Sequence, residues 1–61
     1  MKYYIVWFTG RVTKKFQVTP PYGIDDAIQD YMREQNKGEA KSDRIAFIRK
    51  LEVTPREYEL Y

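Results

Sequence analysis

Four carboxylates come closest to a chemically competent cluster: Asp25, Asp26, Asp30 and Glu34. Asp26, Asp30 and Glu34 recur at every fourth position, so a helix sets them on one face. Paired carboxylates can hold a hard cation or divide acid and base roles. The ligand loop and spaced glycine of a calcium motif are absent, and a solvated helix face accounts for the same spacing. The chain has no histidine and no cysteine. It therefore lacks the usual general base, the physiological pH switch and any thiolate nucleophile or metal site. Ser42 is the only serine, with no imidazole to activate it. Gly10, Gly23 and Gly38 stand alone and form no phosphate-cradling pattern. The expectation is a non-enzymatic protein with no cofactor, no metal and no small-molecule substrate.

The second chemical set is recognition chemistry. Arg11, Lys14 and Lys15 lie beside the aromatics of the run Tyr3-Tyr4-Ile5-Val6-Trp7-Phe8. Cations interleaved with rings on a sheet face can hold single-stranded nucleic acid, with phosphates on the cations and bases on the rings. No RNP-type consensus accompanies them. The same residue types also populate protein interfaces, where aromatic and Arg anchors are enriched. We take Tyr4, Trp7, Phe8, Arg11 and Lys15 as the candidate partner-binding residues. A protein partner or a second copy is the first expectation, and nucleic acid is the alternative.

These residues must be positioned by a hairpin. Tyr3 to Phe8 is β-branched and aromatic throughout, and six residues are far too few for a membrane span of about 20. Its unbroken apolar character is that of a strand covered on both faces. Thr9-Gly10 follows, and Arg11 to Val18 then alternates, with Val12, Phe16 and Val18 on one parity. A Gly-containing turn between two such strands reads as a β-hairpin. A two-residue loop at Thr9-Gly10 pairs Trp7 with Val12. A three-residue loop over Thr9 to Arg11 exchanges the faces, because a slip of one residue turns every side chain over.

Pro20 and Pro21 end the second strand as a stiff connector. Ile24, Ala27, Ile28, Tyr31 and Met32 then form one apolar stripe at helical spacing. Asp25 and Asp26 suit the helix start, Arg33 and Lys37 its end, and Gly38 the position just beyond. Asn36 to Ser42 is polar and loop-like. From Asp43 to Val53, Ile45, Phe47, Leu51 and Val53 share a strand parity, while Ser42 could instead cap a helix with Ile45, Ile48 and Leu51 inside. A third strand is preferred, because a hairpin alone is unstable and a helix needs a sheet to cover. Pro55 ends it. Arg56 to Tyr61 alternates and reads as a short edge strand or an ordered tail.

The result is a single domain over residues 1–61 with an α+β fold. Its order is ββαβ, an antiparallel three-stranded sheet with one helix packed on one face. The helix leaves the second face to the C-terminal Tyr58, Leu60 and Tyr61, to a second copy, or to a partner. A 61-residue domain buries only about 60% of its unfolded surface, so it is marginal without help. Net charge is +2, which permits nucleic acid without requiring it. No signal-like segment opens the chain, and a cytoplasmic protein is expected.

This plan resembles small accessory proteins of bacteriophages and mobile elements. It carries an opening strand Tyr3–Phe8, a Gly turn, a strand ending in Phe16 and Val18, an acidic helix start at Asp25-Asp26 and a closing strand near Ile45–Val53. Within that group it is similar to the T4-type phage antitoxins. The likeness covers most of the chain and rests on pattern. Pro20-Pro21 departs from it, and no functional residue carries over. The resemblance implies an inhibitor that binds and blocks a host or defence protein, in the host cytoplasm.

Overall fold

The structure, a computed structural model, describes residues 1–61. Strands β1 (Lys2–Phe8) and β2 (Val12–Val18) precede helix α1 (Ile24–Asn36). A 3-10 turn at Lys41–Asp43, strand β3 (Phe47–Val53) and a second helix, α2 (Pro55–Leu60), complete the chain. The sheet order is β2-β1-β3, antiparallel at both junctions. The all-apolar strand is thus the central one, with Ile5, Val6 and Phe8 essentially free of solvent contact.

The hairpin adopts the three-residue loop. Phe8 pairs with Val12, and Trp7 with Thr13. Gly10 and Arg11 have φ of 74° and 62°, two successive left-handed residues that reverse the chain. This register unites Tyr4, Val6 and Phe8 with Val12, Phe16 and Val18 on one face, so a single helix can bury both strands' apolar sets. Helix α1 does so with Ile24, Ala27 and Ile28, while Tyr31 and Met32 pack at the margin. Tyr31 lies 5.2 Å from the Phe8 ring and 5.7 Å from Phe16. Burying a side chain such as Ile28 stabilises by about 1.5–3 kcal/mol.

Gly38, at φ 77°, stands just past the Lys37 C-cap, as the sequence predicts. Asn36 ends the helix rather than opening the loop. Its side chain clasps the main chain ahead of β3. Ile45 N–H donates to Asn36 Oδ1 at 2.8 Å, and Asn36 Nδ2 donates to Ile45 O at 3.0 Å.

Two expectations need correction. The shared parity of Ile45, Phe47, Leu51 and Val53 does not survive, because the β1–β3 register shifts between Trp7 and Phe8. Trp7 pairs with Arg49 and Phe8 with Phe47. Ile48 is the extra residue of a bulge. Phe47 consequently sits on the α1 face with Lys50 and Glu52, opposite to Arg49, Leu51 and Val53. The segment from Arg56 to Tyr61 is not a strand but an ordered tail, helical as far as Leu60. Thr54 and Glu57 form a reciprocal capping box with Pro55 at the first helical position, and this starts α2.

Candidate functional site

The sheet has two unlike faces. The α1 face is the core. The other face presents Tyr3, Ile5 and Trp7 from β1, Thr13, Lys15 and Gln17 from β2, and Arg49, Leu51 and Val53 from β3. No strand position on it is acidic. α2 covers one end of this face. It leaves β3 at Thr54 and crosses β1, where Tyr58 meets Tyr3 at 5.1 Å between ring centroids. It ends above β2. There Lys15 Nζ donates to the main-chain oxygens of Tyr58, at 3.2 Å, and Tyr61, at 3.1 Å. The same ammonium lies 4.6 Å from the Tyr58 ring centroid. A six-residue helix is too short to persist alone, so these contacts hold it. The fold-back of Tyr58 agrees with one of the three coverings considered from sequence, whereas Leu60 and Tyr61 remain exposed.

The five candidate residues are dispersed. Phe8 is 1% exposed beneath α1 and is out of reach of any partner. That is a correction forced by the register, which turns even-numbered β1 residues inward. Tyr4 shares this face and is half-buried, at the rim of a groove of about 510 Å3 with Pro20, Pro21 and Tyr22. Arg11 is exposed at the hairpin tip. Trp7 is half-buried on the second face, where the Arg49 guanidinium carbon lies 4.2 Å from its ring centroid. Lys15 shares that face, but its ammonium is engaged with α2. Only Trp7 and Lys15 are brought to one surface.

The carboxylates of α1 do not converge. Asp25 pairs with Lys50 at 2.6 Å. Asp30 accepts from the Tyr22 hydroxyl at 2.6 Å and from Arg33 at 3.2 Å. The Asp30 bond holds the Tyr22 phenol's pKa above its ordinary value, with burial adding to it. No three acidic side chains gather around a common point.

The surface that sequence reasoning missed is β3. Along the strand only Val53 is buried. Phe47, Ile48 and Leu51 are 42%, 56% and 45% exposed. The outer edge of β3 has no neighbouring strand. Three bulky apolar side chains beside an open row of main-chain donors and acceptors form a template for another chain. The other edge, β2, is blunted by Lys14 and Lys15. The signal in the sequence was the apolar bulk of Phe47, Ile48 and Leu51 interleaved with Arg49, Lys50 and Glu52, yet the shared parity of Phe47, Leu51 and Val53 read as one inward face and concealed it. No helix is long and apolar enough to cross a membrane. No protein-family model matches the chain, and no curated protein or solved structure matches it significantly.

Proposed function

We propose that this chain is a small non-enzymatic protein-binding module, acting in the cytoplasm by occupying a surface of another protein. Inhibition of a host or defence protein is the form suggested by its resemblance to phage accessory proteins. The observation that carries the reading is β3, an edge strand with Phe47, Ile48 and Leu51 in solvent and its outer main chain unpaired. Main-chain pairing along such an edge supplies affinity, and the flanking side chains supply selectivity.

Nucleic acid is the alternative, favoured by the absence of acidic residues at strand positions around Trp7, Lys15 and Arg49. Two features weigh against it. The Trp7 ring already carries Arg49, and the Tyr58 ring lies between Lys15 and Tyr3, so neither is an open stacking platform. The Lys15 ammonium is directed to main-chain oxygens rather than to solvent. Exposed Phe47, Ile48 and Leu51 also fit a protein better than a phosphate backbone.

Affinity capture from lysate, with and without nuclease and washed at low and high salt, separates the two. A stoichiometric protein retained through nuclease and salt is the expected result. Material that disappears with nuclease and falls steeply with salt, as counterion release requires, overturns it.

A further inference from the structure

The β3 sequence itself describes a partner for its edge. We propose that a second copy of this chain pairs antiparallel along β3, on a two-fold axis at Leu51. The proposal rests on β3 being a protein contact and names the occupant.

Three observations select that register. First, the bulge at Ile48 interrupts regular pairing on one side, and Pro55, which lacks an N–H, closes the other. The regular stretch is therefore Arg49 to Val53, whose midpoint is Leu51. Second, the axis at Leu51 sets Lys50 opposite Glu52 of the second copy, and Glu52 opposite the second copy's Lys50. Both residues lie on the α1 face, so each pair is on one side of the combined sheet. Glu52 makes no ion pair within its own chain, while Lys50 already meets Asp25. The pairing thus extends Asp25–Lys50 into a three-charge row across the seam. Third, the neighbouring axes are poor. An axis at Lys50 opposes two lysines, and one at Arg49 opposes two arginines at the bulge.

The axis also places Leu51 against Leu51 of the second copy and Arg49 against Val53. It removes from solvent the apolar side chain that each monomer leaves beside Ile5. A two-fold perpendicular to the sheet keeps like faces together. The product is a six-stranded sheet with both α1 helices on one side. Both Trp7–Arg49 stacks lie on the other. The path of α2 permits this, because it runs from Thr54 toward Lys15 on β2 and away from the β3 edge. The β2 edge has no such complementarity, since its central Lys14 and Lys15 have no carboxylate on the strand to oppose them.

The test is sedimentation of the intact chain over a wide concentration range, for wild type, Lys50→Glu, Glu52→Lys and the double exchange. Each single variant turns two opposite-charge pairs into two like-charge pairs. That is expected to weaken dimerisation by about tenfold. The double exchange restores both pairs and is expected to recover most of the wild-type dimer. A monomer mass at every wild-type concentration overturns self-pairing, as does a double exchange no better than the single variants. Either failure is distinct from failure of the protein-binding reading, which is decided by whether Ile48→Ser/Leu51→Ser loses a captured partner of different sequence.

Discussion

Lys15 is the most informative single residue, because the structure assigns it to holding α2 rather than to meeting a partner. Replacing it with methionine keeps the aliphatic stem and removes the ammonium. Two charge-assisted hydrogen bonds to main-chain oxygens are lost, one part-buried and one exposed. Discounted for solvent, they are worth about 0.5–1 kcal/mol each. The contact with the Tyr58 ring at 4.6 Å adds about 0.5 kcal/mol at such a site. Lys15→Met is therefore expected to cost about 1.5–2.5 kcal/mol, and each kilocalorie lowers the Tm of a domain this size by about 4–8 °C. Lys14→Met is the control. Its ammonium lies 5.6 Å from the Tyr31 centroid and makes no hydrogen bond, so the loss should stay below about 0.5 kcal/mol. Thermal unfolding by circular dichroism gives both numbers. Amide exchange at Tyr58, whose N–H donates to Thr54 O, reports whether α2 itself is released. Equal Tm values for the two variants, with Tyr58 exchange unchanged in Lys15→Met, would refute the docking of α2 and return Lys15 to the surface.

Other parts of the scaffold give sharp expectations. Phe8→Ala removes a fully buried ring at a cost of about 3–5 kcal/mol, comparable with the whole stability of so small a domain, so far-UV dichroism should show a largely unfolded chain. Asn36→Ala leaves the N–H and C=O of Ile45 without partners, costing about 1–3 kcal/mol, and amide exchange should accelerate most at Ile45. Thr54→Ala deletes an N-cap and should cost about 1 kcal/mol. The Glu57 carboxyl is held below its ordinary pKa, chiefly by the Thr54 main-chain N–H and then by its hydroxyl. That stability is present above the ordinary value of about 4.3 and is lost as pH falls through the lowered folded value. Glu57→Gln should therefore lose less stability than wild type as pH falls below the ordinary carboxylate value, measured by denaturant titration.

Much of the fold was legible because its signals were local and redundant. The apolar run from Tyr3 to Phe8, the alternation from Val12 to Val18 and the stripe from Ile24 to Met32 each specify one element. Each is also consistent with the others. The hairpin register was harder. Thr9-Gly10-Arg11 permits either loop, and the decision lies in the left-handed Arg11, a conformation that arginine does not announce. α2 was legible in principle, since Thr54-Pro55-Arg56-Glu57 is a capping box with proline at the first helical position. Its parity pattern competes with that signal over only six residues.

The site was less legible, because it depends on which side of a strand each residue occupies. The bulge at Ile48 moves Phe47 to the α1 face. The register moves Phe8 into the core. The topological fact that makes β1 central and leaves β2 and β3 as the two edges, the pairing of β3 to β1, is non-local. Trp7 was chosen as a candidate from its type. Its neighbour Arg49, 42 positions later in the chain, was not.

We propose β3 as the contact surface of this protein. The most direct test is capture of partner from nuclease-treated lysate by wild type, Ile48→Ser/Leu51→Ser and Arg11→Glu in parallel, each first shown to be folded by circular dichroism. Wild type and Arg11→Glu are expected to retain the partner, and the β3 variant is expected to lose it. Retention by the β3 variant, with loss in Arg11→Glu, would exclude β3 and place the contact at the hairpin tip.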